Sequence, residues 1–154
     1  MKNIVLFFAV CLSTISLLSC GSNNEIETKV EELDSICPAV MWDGWIFQSV
    51  DYNGNDVTFT IREDYELDEE MLEADRSELK RAAKFIIGEF SEAYAYSKID
   101  DAEGDEELYA KVYPLIKAVV NDSSTGITIK WVDSKGNKVS ASLSSSDVKK
   151  AAML

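Results

Sequence analysis

The sequence predicts an α+β domain in which duplicated helix-strand-strand-helix units form one four-stranded antiparallel sheet with helices on one face. Three observations lead to this prediction: apolar and polar residues alternate in three short segments, apolar residues recur at helical spacing elsewhere, and the chain matches itself at an offset of 82 positions. We place a single domain at residues 25–154. Its repeats are predicted at about 25–72 and 107–154, joined by a helix at about 76–97 and an acidic hinge at 100–107.

The internal match centres on two predicted turns. Residues 50–57 align without a gap with residues 132–139, and both segments follow the pattern V-D-x-x-G-N-x-V. The same offset pairs identical residues on both sides of the turns, from Glu25 with Glu107 to Leu72 with Leu154. Two similar hairpins could have arisen independently, but the flanking identities extend beyond the turns. We therefore predict a duplication that gives the domain pseudo-twofold character.

Helical periodicity predicts the elements around the strands. The first helix has apolar residues at 26, 30, 33 and 37 on one face and ends before Pro38. Its counterpart in the second repeat contains Pro114, where we expect a kink or a restart. The long connecting helix is predicted to begin with a capping box formed by Asp75 and Glu78. A helical turn at about 68–74 and a C-terminal helix from about residue 146 complete the pattern.

Alternation in the strands indicates a sheet with one covered face. The inward positions are Val57, Phe59 and Ile61 in one strand, Ile127, Ile129 and Trp131 in another, and Val139, Ala141 and Leu143 in a third. The positions between them are mostly Thr, Ser and Lys, which is typical of antiparallel strands with one solvated side. Asn53-Gly54 is a strong hairpin signal. Because an isolated hairpin is marginally stable, the two hairpins are expected to join into one sheet.

The N-terminus carries an export signal. An almost entirely apolar run, residues 4–18, follows Lys2 and is too short to span a membrane stably. Leu17-Leu18-Ser19-Cys20 closes this run and resembles the lipobox of bacterial lipoproteins. The resemblance implies that residues 1–19 are removed as a signal peptide and that Cys20 is lipidated. It also implies a short tether at 20–24 and a protein held by lipid in the bacterial cell envelope, on the outer membrane.

Composition excludes several function classes. The formal net charge is −13, and removal of Lys2 with the signal makes the mature chain one unit more negative, which disfavours nucleic acid and anionic lipid surfaces. The absence of histidine removes imidazole catalysis and the common zinc sites. With Cys11 cleaved and Cys20 lipidated, Cys37 has no disulfide partner. Its spacing predicts a buried, unreactive thiol rather than a nucleophile.

Two motifs suggest specific chemistry but are incomplete. Asp51, Asn53 and Asn55 alternate like calcium ligands, but an EF-hand loop requires glycine and glutamate where this chain has Asp56 and Arg62. Two S-x-x-K tetrapeptides lack the S-D-N and K-T-G elements of the serine acylases. We therefore expect no catalytic residue, no metal and no cofactor.

Two functions remain open at the level of sequence. The first is a non-catalytic protein-interaction or accessory lipoprotein with an unknown protein partner, contacted through Met41 and Trp42, although this segment could instead cover the core. The alternative is a carrier of a small apolar or aromatic ligand between the helices and the sheet. The carrier requires an interior pocket, for which the expected lining is Trp45, Phe47, Phe85 and Phe90. A filled core would favour the interaction protein.

Overall fold

The computed structural model describes the backbone of residues 21–97 and 105–154, with side chains from residue 24 onward. The predicted signal peptide (1–19), Cys20 and residues 100–104 of the predicted hinge lie outside the described residues. The elements in chain order are α1 (Gly21–Asp34), β1 (Ala39–Val40), a short 3-10 helix (Trp42–Gly44), β2 (Ile46–Tyr52), β3 (Asp56–Arg62), α2 (Glu69–Glu73), α3 (Arg76–Ser97), α4 (Glu106–Asn121), β4 (Gly126–Val132), β5 (Lys138–Leu143) and α5 (Ser145–Ala151).

The sheet is five-stranded and mixed, so the prediction of a four-stranded antiparallel sheet is wrong in two respects. The strand order is β1-β2-β3-β4-β5. The neighbours are antiparallel except for β3 and β4, which run parallel from the Asp56–Gly126 pair to the Arg62–Val132 pair. The additional strand, β1, has only two residues, which is too short to produce a recognisable alternation.

The path of α4 explains the parallel pair. The amide of Asp105, which precedes α4, donates to the carbonyl of Val40 (3.0 Å), and Val40 pairs with Ile46 beside the end of β3. After α4, the amide of Gly126 donates to the carbonyl of Asn55 (3.0 Å), next to the start of β3. The chain therefore returns along the whole length of the sheet before β4 begins, so that β4 runs in the same direction as β3.

This sheet order is incompatible with a twofold axis through the domain. Such an axis, perpendicular to the sheet, would make the central pair either β3 with β5 or β2 with β4, and antiparallel in both cases. The central pair is instead β3 with β4, and it is parallel. The expected pseudo-twofold character is therefore wrong. The duplication itself stays a prediction.

The two matched turns also differ in local structure. A bulge between Phe47 and Ser49 shifts the side-chain alternation of β2, so Val50 is buried whereas its counterpart Val132 is partly exposed. The amide of Asn53 bonds across its turn to Asp56, which encloses two residues, whereas the second turn is closed from 133 to 137 and encloses three. The extra residue restores the alternation, and the inner positions of β3 and β5 again face the core.

The helices agree closely with their sequence patterns. The helix α3 covers residues 76–97, and Asp75 and Glu78 cap it reciprocally with bonds of 3.0 and 3.1 Å. The helix α4 continues through Pro114 rather than restarting there. The helix α1 begins at Gly21 and therefore occupies residues 21–24, where a flexible tether was expected. No helix within the described ranges is long and apolar enough to cross a membrane.

A continuous cluster of buried side chains fills the space between the helices and the inner face of the sheet. The rings of Phe47, Phe59 and Phe90 meet edge to face, with centroids 5.3–6.0 Å apart. The alternation predicted for the strands is confirmed, because the inner residues of β3 and β4 are buried and the intervening ones are partly exposed. The core therefore resembles a packed interior rather than a binding chamber.

Candidate functional site

A surface groove lies where α3, α4 and the C-terminal end of α5 meet. Its volume is about 520 Å³. We call it the α3–α5 groove. Its principal lining residues are Phe85, Gly88, Glu89 and Glu92 of α3, Tyr113 of α4, and Met153 and Leu154 after α5.

The apolar residues of the groove are unusually exposed. The fractional exposure is 60% for Phe85, 93% for Met153 and 38% for Leu154. Phe85 lies outside the apolar stripe of α3, in which the neighbouring residues Ile86 and Ile87 are buried. Exposed large apolar side chains that gather around a hollow are typical of contact surfaces, unlike the isolated ones found on any protein.

The C-terminal wall is shaped by a turn at the end of α5. Met153 has a left-handed backbone conformation (φ 56°), and the amide of Leu154 donates to the carbonyl of Lys149 (3.1 Å). This turn directs the two last residues back toward α3. A side-chain carbon at Gly88 would lie 3.3 Å from the carbonyl oxygen of Ala151, so this glycine allows α5 to approach α3 closely and leaves the floor of the groove open.

Asp147 holds α5 against α3. Its carboxylate receives hydrogen bonds from Lys80 (2.8 Å) and Lys84 (2.9 Å), and it also forms a capping box with Ser144 at the start of α5. The two lysines, followed by the Ser144 bonds, keep the pKa of Asp147 well below its usual range despite partial burial. Lys84, which borders the groove, is therefore held by an ion pair to Asp147, which it shares with Lys80.

The rim of the groove is acidic. Among the described residues, neither Glu89 nor Glu92 forms an ion pair with a lysine or arginine. Partial burial, followed by repulsion from Glu92 and Asp43, raises the pKa of Glu89. Glu89 and Glu92 thus present carboxylates at the groove that form no ion pair within residues 24–97 and 105–154.

The predicted partner-contact residues lie elsewhere and are mainly part of the core. Met41 is buried, with 1% exposure. Trp42 is partly buried and packs edge to face on Phe90 (5.1 Å between centroids) and stacked on Tyr109 (6.2 Å). The packing of Met41 and Trp42 therefore favours the other possibility that the sequence left open, in which this segment covers the core.

The residues expected to line a carrier pocket do not share an interior cavity. Phe47 and Phe90 are fully buried in the aromatic cluster, and Trp45 is partly buried against the core. Phe85 lies on the opposite side of α3, in the groove. Its position off the apolar stripe was visible in the sequence and was the available signal for a surface role. The turn that adds Met153 to the groove left no such signal.

Cys37 is half-buried, three residues beyond the end of α1. Its thiol donates a hydrogen bond to the carbonyl of Leu33 (3.4 Å). Burial, and to a lesser extent the negative charge of Asp34, raises the pKa of this thiol to about 11. A thiol with so little thiolate is a poor nucleophile.

Asp133 is a buried carboxylate with a structural role. It accepts hydrogen bonds from the amides of Leu67, Lys135 and Asn137 and from the side chain of Asn137, at 2.8–3.1 Å. Burial opposes its ionisation, but these bonds outweigh that effect and lower its pKa. It thereby joins the β4–β5 turn to the segment that precedes α2.

Within residues 21–97 and 105–154, no group of three or more His, Cys, Asp or Glu side chains could hold a metal ion. The segment that resembles a calcium loop forms a turn, in which the side chain of Asn53 accepts from the amides of Asn55 and Asp56. Comparison with known proteins found no matching family model, no similar curated protein and no similar solved structure.

Proposed function

We propose that this chain is a non-catalytic, lipid-anchored envelope protein that binds a protein partner through the α3–α5 groove. The observation that carries the proposal is the group of exposed apolar side chains, led by Phe85 and Met153, around a hollow on the protein surface. Aromatic residues beside a preformed hollow are frequent anchors of protein interfaces, because they bury a large area with little loss of conformational freedom.

The anchor follows from the lipobox and the charge of the domain. A chain with a net charge of −13 is not attracted to anionic lipid, so lipid on Cys20 would have to hold it at the membrane. Two or more acyl chains, as lipoproteins of this type carry, anchor a protein stably where one chain does not.

A carrier of a small apolar ligand is the second candidate. The tightly packed core argues against a ligand site between the helices and the sheet, where the sequence had suggested one. The α3–α5 groove itself, at about 520 Å³, falls within the size range of small-molecule pockets. The two candidates differ in what Phe85 contacts: a protein or a ligand of low molecular mass.

Native electrophoresis of solubilised membranes separates these candidates. We expect the wild-type chain to migrate in a complex larger than the monomer, and Phe85→Ser to reduce that complex to the monomer. Tyr65→Ser is the matched control, because Tyr65 is 82% exposed but lies between β3 and α2. A monomeric wild type, or a complex that Phe85→Ser leaves intact, would contradict the interaction proposal.

A further inference from the structure

We infer that the occupant of the α3–α5 groove is a basic amphipathic segment, in which bulky apolar side chains are flanked by Lys or Arg. This inference rests on the proposed function, because it specifies the partner of the same groove. Its basis is the combination of an apolar floor with two glutamates of the rim, Glu89 and Glu92, that have no ion-pair partner in the described part of the chain.

The apolar half of the partner follows from the floor. Phe85 and Met153 expose 60% and 93% of their surfaces, and the open floor at Gly88 leaves room between them. An apolar side chain that enters this space would remove both residues from water, which is the main source of affinity in such grooves. A helix that presents residues at i, i+3 and i+4 would match a groove bordered by helices.

The basic half of the partner follows from the rim. Glu89 and Glu92 are three residues apart and therefore point to the same side of α3. Lys84 of the groove lining is held by Asp147 at 2.9 Å, and Lys117 lies over the ring of Tyr113, 5.8 Å from its centroid. Among the described residues, neither lysine forms an ion pair with these glutamates. Lys or Arg on the partner would supply the missing charge, and the negative potential of the whole chain would accelerate its approach.

The same charges disfavour two other occupants. A second copy would bring another strongly acidic domain against this rim, with like charges opposed. A neutral alkyl chain could fill the floor but would gain nothing from Glu89 and Glu92. The commitment to a basic segment therefore comes from charge complementarity and not from the groove volume alone.

Binding of designed peptides to the full chain in phosphatidylcholine nanodiscs tests the inference. The probes are two amphipathic helical peptides of about 14 residues with the same leucine face. One carries lysine and the other glutamate on the polar face. We expect the Lys-Leu peptide to bind about tenfold or more tightly than the Glu-Leu peptide, with an advantage that falls as the salt concentration rises.

Three variants identify the cause. Glu89→Gln/Glu92→Gln should reduce the affinity for the Lys-Leu peptide about tenfold and should not reduce the affinity for the Glu-Leu peptide. Glu70→Gln/Glu73→Gln on α2 is the matched control, since both side chains are exposed at the same spacing, and it should have no such effect. Phe85→Ser should weaken the binding of the Lys-Leu peptide. Because wild type and variant are compared on the same nanodiscs, any binding of the peptide to lipid contributes equally to both measurements.

The outcomes distinguish this inference from the proposed function. If Phe85→Ser reduces the binding of both peptides equally and the Glu89/Glu92 variant has no effect, the groove is a contact surface. The inference that its partner is basic is then refuted. If Phe85→Ser changes neither peptide, both proposals fail. Pairing of two chains that depends on Phe85, or tighter binding of decanol than of the Lys-Leu peptide, would also overturn the basic segment.

Discussion

At the scale of single residues, the groove depends on Asp147. This carboxylate caps α5 and forms ion pairs with two lysines of α3. It therefore holds α5, which is followed by Met153 and Leu154, in place against α3. Both lysine side chains are about 40% exposed, which limits the stabilisation that each ion pair contributes. The capping box contributes further stabilisation.

We predict that Asp147→Ala lowers the free energy of unfolding by about 1–2 kcal/mol, because it removes half of a capping box and two partly exposed ion pairs. Urea unfolding followed by tryptophan fluorescence measures this change. Asp64→Ala is the control, since Asp64 is well exposed and, within the described ranges, pairs with Arg62 alone (3.5 Å). Its effect should stay below about 0.5 kcal/mol. Equal effects of the two substitutions would contradict the role of Asp147.

The same residue predicts a dependence on pH. The pKa of Asp147 is lower in the folded chain than in the unfolded chain, so its stabilising effect is present above the unfolded pKa of about 4. As the pH falls through this value and toward the folded pKa, that contribution is lost. The stability difference between wild type and Asp147→Ala should therefore be constant near pH 7 and shrink below about pH 4. A difference that grows on acidification would contradict this assignment.

Cys37 should be unreactive while the protein is folded. A pKa of about 11, against an ordinary value of 9.0, reduces the thiolate fraction at neutral pH by about 100-fold. We therefore expect maleimide labelling of Cys37 to be slower by about this factor in the folded chain than in urea. A cysteine introduced by Tyr65→Cys at the exposed position should label rapidly in both states. Rapid labelling of Cys37 in the folded chain would show that the thiol is activated.

At the scale of elements, local spacing accounts for what the sequence predicted correctly. The capping box formed by Asp75 and Glu78 and the alternation of β3 depend on residues only a few positions apart. The parallel pairing of β3 with β4 depends instead on the route of α4 between the bonds to Val40 and Asn55, which no local pattern encodes. Phe85 was recognisable as an apolar residue off its stripe, but the groove around it requires the docking of α5.

The internal match at an offset of 82 positions illustrates the same limit. Gly44 and Gly126 are identical at the repeat offset, but for different physical reasons. Gly44 has φ 75° and is the last residue of the short 3-10 helix. Gly126 lies in β4, where a side-chain carbon would come within 2.7 Å of the carbonyl oxygen of Leu143. Identity in sequence therefore does not give these two positions a common structural role.

The close approach at Gly126 gives a prediction for the β3–β4–β5 sheet. Gly126→Ala places a methyl group 2.7 Å from a backbone oxygen of β5 and 3.2 Å from Asp56, so the strands must shift. We expect the free energy of unfolding to fall by about 1–3 kcal/mol, measured by urea denaturation. Ser140→Ala, at an exposed position of the adjacent strand, should change it by less than about 0.5 kcal/mol. A Gly126→Ala variant as stable as wild type would show that these strands separate more easily than their packing indicates.

At the scale of the whole molecule, the proposed partner site and the predicted lipid site lie on different parts of the chain. The helical layer carries the groove, and the predicted lipid site at Cys20 immediately precedes α1, which begins at Gly21. If Cys20 is lipidated, little chain separates the anchor from the folded domain. The acidic surface then keeps the domain from binding anionic lipid on its own account.

The anchor predicts a simple fractionation result. Cys20→Ala should move the protein from the membrane fraction to the soluble or unprocessed fraction, because the domain's charge provides no second attraction to lipid. Immunoblotting of separated fractions measures this, with Cys37→Ala as a control that should remain on the membrane. Membrane retention of correctly processed Cys20→Ala would contradict lipid anchoring at this residue.

Site-specific photo-crosslinking in intact cells tests the central claim, that a protein partner occupies the α3–α5 groove, most directly. A benzophenone amino acid at position 85 should give one discrete crosslinked species, whereas the same probe at Tyr65, which is more exposed, should give none. The crosslink at position 85 should also weaken when Glu89→Gln/Glu92→Gln is added. Equal crosslinking at both positions, or none at position 85, would contradict a partner in the groove.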